Sequence, residues 1–230
     1  MKQIRNLMLA AIAIACLTGN VLAGTFGVGV AGSRVHISAS GTEKEASGTA
    51  ALSGTVERDT AANQAFIGSM FAEYAFDNGV TFGVDYIPGE ADINDVKRSR
   101  TDASDANEAD PADGTKTVNA QLSDHITYYA EVPVAGLYAK VGLAQVDVKV
   151  KHSSTSTAAN QSTYKDKTLD GLLLGLGYKG DFGGSLYYKL EASYTDYDSY
   201  TNQSTGGDDA YNVSADMDVT QASLRLGYAF

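Results

Sequence analysis

Charged side chains in this chain repeatedly sit one residue away from large apolar ones. Leu186, Tyr188, Leu190, Ala192 and Tyr194 alternate with a set containing Lys189 and Glu191, and Leu224, Leu226, Tyr228 and Phe230 alternate with a set containing Arg225. An extended strand places residues i and i+2 on one face and their neighbours on the other, whereas a helix would mix the two sets. These segments are therefore read as strands, each with one apolar face and one polar face.

The same period recurs in eight segments, over about residues 25–40, 64–76, 80–87, 125–132, 137–150, 169–178, 185–197 and 213–230. In the first, Phe26, Val28 and Val30 share a face, and the parity then changes to Val35, Ile37 and Ala39. That change predicts a β-bulge near Gly32-Ser33. The connections alternate in length. Residues 77–79, 133–136 and 180–184 form short ones, and 41–63, 88–124, 151–168 and 200–212 form long ones. Short turns on one side and long loops on the other are the rhythm of a transmembrane barrel. The fold expected is all-β, an eight-stranded antiparallel up-and-down transmembrane β-barrel.

Opposite the apolar rows lie Glu73, Asp85, Glu131, Lys140, Lys189, Glu191 and Arg225, and the bulge would add Arg34 to them. A charge facing lipid at mid-bilayer costs about 2–4 kcal/mol, so the alternation sends these groups inward. Eight strands enclose a lumen only just wide enough for side chains to fill. A buried charge needs a partner. The expectation is a polar, plugged lumen, with Arg225, Lys189 and Glu191 linked to Glu73 or Asp85.

Residues 1–23 have the parts of a secretory signal peptide: basic Lys2 and Arg5, an apolar run from Leu7 to Leu17, and small residues at Val21-Leu22-Ala23. The run is shorter than the roughly 20 apolar residues of a membrane-spanning helix. Cleavage after Ala23 would remove Cys16, the chain's single cysteine, and leave a barrel domain of residues 24–230 without disulfides. The formal net charge of -11 excludes the basic stripes that nucleic-acid binding requires.

The ending Leu224-Arg225-Leu226-Gly227-Tyr228-Ala229-Phe230 resembles the terminal strand of bacterial outer-membrane β-barrels, which the barrel-assembly machinery reads as an insertion signal. In that resemblance Leu224, Leu226, Tyr228 and Phe230 carry the signal, and periplasmic chaperones escort the chain. As a whole, residues 24–230 resemble the small eight-stranded outer-membrane proteins of the OmpA/OmpX-like and opacity-protein-like group. The resemblance implies a monomer in the bacterial outer membrane, among lipids and lipopolysaccharide, with a structural, adhesive or surface-interaction role.

The long connections would carry any extracellular ligand site. Residues 90–120 are rich in acids, but Asp105, Glu108, Asp110 and Asp113 do not have the spacing of a calcium loop, so no metal or other cofactor is expected. His36-Ile37-Ser38 and His152-Ser153-Ser154 place a base and a nucleophile two residues apart, as outer-membrane lipid A deacylases do. With three histidines and many serines that spacing arises readily by chance, and no other enzyme motif accompanies it. The reading is therefore a non-enzymatic surface scaffold with long acidic loops. A narrow porin is the alternative, and a lipid-modifying enzyme stands third.

Overall fold

Three tight turns set the hairpins. At the first, Gly79 adopts a φ of 83° and its N–H donates to the Phe76 carbonyl at 2.8 Å, while Asn78 Oδ1 accepts from the Val80 N–H at 3.0 Å. At the second, Ala135 and Gly136 both have positive φ, the geometry of a two-residue hairpin whose twist matches its strands. Gly183 and Gly184 supply positive φ at the third. A computed structural model describes residues 24–47, 56–92, 98–101, 115–154, 164–203 and 210–230. The expected signal peptide and the four loop carboxylates Asp105, Glu108, Asp110 and Asp113 lie outside them.

Ten strands are described: β1 (Gly24–Ser47), β2 (Val56–Phe76), β3 (Thr81–Asp92), β4 (Arg98–Thr101), β5 (Thr115–Val134), β6 (Leu137–Ser154), β7 (Lys167–Gly183), β8 (Leu186–Tyr197), β9 (Tyr200–Gln203) and β10 (Ala210–Ala229). All pairs are antiparallel, β4 and β9 continue β3 and β8 along β5 and β10, and apart from the closing pair each stave lies beside the next along the chain. The ring therefore has eight staves, closed by β1 on β10 with Val28 opposite Tyr228 and Val30 opposite Leu226. Closure removes the free edges that a sheet would otherwise expose in lipid.

The outer face carries the apolar rows. Leu172, Leu174 and Leu176 on β7, Leu186 and Leu190 on β8, and Leu224, Leu226 and Tyr228 on β10 are all exposed, with Phe230 just beyond the strand end. Toward the short turns this belt ends in a rim of aromatic rings. Tyr74 and Phe76 meet edge to face at 5.0 Å, Tyr228 and Phe230 at 5.0 Å, and Phe182 lies 4.9 Å from Tyr188. Amphipathic rings favour that membrane–water boundary.

Three expectations need correction. First, β1 has no bulge near Gly32-Ser33, since its register with β2 and with β10 runs unbroken from Gly27 to Thr42. The parity changes because the apolar residues change sides of the wall: Val30 is 57% exposed toward lipid and Val35 only 3% exposed inside. Second, Arg34 consequently stays on the outer face, where its guanidinium donates to Gln64 Oε1 at 2.7 Å. Third, much of the expected long loops is strand. β1 and β2 pair as far as Lys44 opposite Val56, and β5 and β6 as far as Lys116 opposite Ser154. Spanning a bilayer takes about 9–11 residues per strand, so the wall continues well above the membrane.

Candidate functional site

The lower lumen is filled by ion pairs. Lys189, on β8, is fully buried, and its Nζ lies 2.7 Å from Glu73 Oε2 and 2.6 Å from Glu131 Oε2. The Lys140 ammonium, from β6, donates to both oxygens of Glu191 at 2.9 Å. Arg225, 2% exposed on β10, reaches Asp85 Oδ2 at 2.9 Å and lies 4.0 Å from Glu191. The structure thus brings Glu73, Asp85, Glu131, Lys140, Lys189, Glu191 and Arg225 together and leaves Arg34 outside.

Tyrosines knit the pairs into one network. The Tyr129 hydroxyl donates to Glu73 at 2.9 Å and accepts from Arg225 at 3.2 Å, while Tyr187 donates to Glu73 and Tyr138 to Glu191, each at 3.0 Å. Lys140 also lies 4.0 Å above the Tyr129 ring, and Arg225 lies 4.2 Å above Phe71. Alternation alone assigns none of these three tyrosines a partner. A signal did exist: each of the three faces a glycine across its ladder, Gly83 for Tyr129, Gly177 for Tyr138 and Gly227 for Tyr187. A Cβ at any of these glycines would overlap the facing ring.

Above this network the lumen turns apolar, contrary to the expectation of a polar filling throughout. Val35, Ile37, Val146, Val148, Leu169 and Met217 pack inside with Tyr197 and Tyr200. Paired bulges produce part of this change. Pro88 and Gly89 of β3 stand opposite a single β5 residue, Asp124. Asp124 and His125 in turn stand opposite Val146 of β6. An extra residue reverses which face looks inward. Below the bulge Thr127, Tyr129 and Glu131 are buried in the lumen, and above it Leu122 packs against the apolar core. His125, at the reversal, lies 2.7 Å by Nε2 from the Tyr197 hydroxyl.

The wall is incomplete at this height. β2 and β3 pair only from Met70–Tyr86 to Ala75–Thr81, and no ladder joins them above that among the described residues. Pro88 has no N–H to offer a ladder, and Gly89, at a φ of 96°, turns β3 aside. At about 2.6 Å of height per tilted strand residue, Met70 stands roughly 15 Å above the Phe76 turn. The gap therefore opens in the upper half of the bilayer, where unladdered backbone is tolerated only if covered by protein or lining a cavity. It does line one. A cavity of about 290 Å³ runs from Phe66 and Gly68 at the gap, past Ile37 and Val146, to Arg225 and Glu191. Higher on the outer surface, twelve residues along β6 from its turn and beyond the apolar belt, Glu90 bonds Lys149 at 3.2 Å.

His36 and Ser38 share the outer face of β1 and point away from this lumen. The side chains of His152 and Ser154, the second such pair, lie outside the described residues. No group of three metal-ligating side chains occurs among the described residues.

A closed antiparallel barrel with a lipid-facing apolar belt and a buried ionic interior is a membrane-spanning β-barrel. Its fold is similar to that of the outer membrane protein OprG from Pseudomonas aeruginosa, at 12% identity and a TM-score of 0.53 over 90% of this chain and 96% of that one. Looser overlaps are found with the outer membrane protein AlkL (16% identity, TM-score 0.46, 90% of each chain) and with Ail of Yersinia pestis (15%, 0.37, 90% and 97%). No protein-family model and no curated protein matches the chain. The likeness to OprG, at that identity, shows the fold. With the belt, it places the chain as an integral β-barrel of the bacterial outer membrane.

Proposed function

We propose that the barrel admits small apolar molecules sideways, between β2 and β3, into the cavity above the ionic network. The observation that carries this reading is a break in the ladder at membrane depth that leads into a space with an aliphatic upper wall of Val35, Ile37, Val146, Leu173 and Val219 over the ionic floor. An apolar cavity of about 150 Å³ suffices for benzene, so 290 Å³ accommodates a molecule roughly twice that size. The test is photolabelling in phosphatidylcholine vesicles with an aliphatic diazirine of about eight carbons. Label is expected on lumen-facing Val35, Ile37 and Val219 as well as on the outer belt, and excess unlabelled alkane should suppress only the lumen set. Gly68→Phe should reduce lumen labelling several-fold. A Cβ there meets nothing nearer than the Ala31 carbonyl at 3.9 Å, so added bulk covers the gap without disturbing the wall. Labelling confined to the belt would refute lateral entry.

The narrow porin is disfavoured by the ionic plug. In planar bilayers the protein is expected to show no steady ion-selective openings, and reproducible single-channel steps would restore the porin reading. A surface-interaction scaffold remains a second reading, favoured by the height of the wall above the membrane, with β1 alone 24 residues long. Trimming the outer ends of β1 and β2 by equal numbers of residues would then abolish adhesion while leaving insertion intact.

A further inference from the structure

A shallow groove of about 780 Å³ crosses the outer wall at right angles to the strands. Along its lower side Leu224, Leu190 and Tyr178 stand in register on β10, β8 and β7. Its upper side is low, because the residues there, Ala222 and Ala192, are short and stand opposite each other. At the β1 end lie Arg34, which is opposite Ala222, and the exposed ring of Phe66. Barrel strands are tilted, so a groove across them climbs. At about 2.6 Å of height per residue, Ala192 stands roughly 16 Å above the foot of β8 and Arg34 roughly 26 Å above the foot of β1. The apolar band of such barrels is about 25 Å tall. The groove therefore starts in hydrocarbon and ends at the headgroup level of the outer leaflet, the leaflet opposite the short turns.

Among the described residues the Arg34 guanidinium donates to the neutral Gln64 amide and pairs with no carboxylate. Other staves show the opposite charge at this height, with Asp147 on β6 and Asp196 on β8, each ten residues above the foot of its strand. Just above them Lys149 is already held by Glu90. An anionic headgroup is thus drawn to the β1 arc of the wall and repelled from the β6 and β8 arcs. We infer that the groove binds one lipid carrying a phosphate and several acyl chains, as the lipid A of the outer leaflet does, with the phosphate on Arg34 and a chain laid along the groove toward Leu190. A guanidinium holds phosphate through two parallel hydrogen bonds, and an exposed arginine at headgroup level is free to make them. This site uses the outer wall only and is independent of the lateral entry proposed above.

The test is native mass spectrometry of the protein released from detergent micelles that contain lipid A, dimyristoyl phosphatidylglycerol and dimyristoyl phosphatidylcholine in equal amounts. One lipid A is expected to be retained about tenfold over phosphatidylcholine, a charge-assisted contact being worth roughly that factor. Arg34→Gln should bring the preference close to one. Ala222→Phe, which fills the groove with Arg34 intact, should lower lipid A retention several-fold. Lys149→Gln, which removes a cation already paired, should leave it unchanged. Heat-modifiable gel mobility establishes that each variant is folded. Equal retention of lipid A and phosphatidylcholine by the wild-type protein, or an undiminished preference in Arg34→Gln, would overturn the inference. A loss in Lys149→Gln as large as in Arg34→Gln would reduce the effect to general surface charge and overturn the site. Phosphatidylglycerol retained as tightly as lipid A would overturn the choice of lipid.

Discussion

Replacing Lys189 by Met is expected to destabilise the barrel by about 3–5 kcal/mol, the usual cost of removing one partner from a buried ion pair. Lys189 is fully buried, and it is the cation directly bonded to Glu73 and to Glu131. Without it, two carboxylates remain in the lumen, and one oxygen of Glu131 already lacks a partner. Glu73 would retain only the hydroxyls of Tyr129 and Tyr187. Urea unfolding in lipid vesicles, followed by the heat-modifiable gel band, measures the loss. The triple variant Lys189→Met, Glu73→Gln, Glu131→Gln should recover most of it, because the remaining Asp85, Lys140, Glu191 and Arg225 are balanced. If the single substitution costs less than about 1 kcal/mol, the network does not hold the lumen as described.

An arginine at Leu176 is expected to cost about 2–4 kcal/mol, and one at Phe182 about 0–1 kcal/mol, although both positions are exposed. The difference reports depth. Phe182 belongs to the aromatic rim beside the Gly183-Gly184 turn, and Leu176 stands six residues farther along β7, roughly 15 Å higher and near the middle of the belt. On a water-soluble barrel both changes would fall within about 0.5 kcal/mol of neutral. The same unfolding assay therefore separates lipid from water as the solvent of this face, and equal small effects at both sites would contradict the membrane placement.

Much of this architecture could be read along the chain. Period-two alternation assigned most side chains on β7, β8 and β10 to their observed faces, and Asp77-Asn78-Gly79 marked its turn because local backbone geometry demands such residues there. The reading failed where apolar residues have two destinations. Val30 and Val35 are alike in the sequence, yet one faces lipid and the other is buried in the apolar cluster inside the lumen. The expected bulge in β1, and with it the inward Arg34, came from assuming a single apolar side. The actual bulges, at Pro88-Gly89 and Asp124-His125, interrupt segments that the sequence presents as loop or loop margin.

The period of two by itself determined the kind of fold, the number of staves, and which charges must leave the lipid, because each rests on the geometry of single strands and on one solvent boundary. Only the tertiary structure decided how those charges pair. Glu131 stands opposite Lys140 in the ladder, yet Lys140 bonds Glu191 two strands away, over the glycines of β7, and the neighbours Lys189 and Arg225 both reach carboxylates on distant strands. The gap between β2 and β3, with the cavity behind it, likewise exists only once the ring has closed. Long side chains in a narrow barrel choose partners by distance through space, and ladder order does not specify that distance.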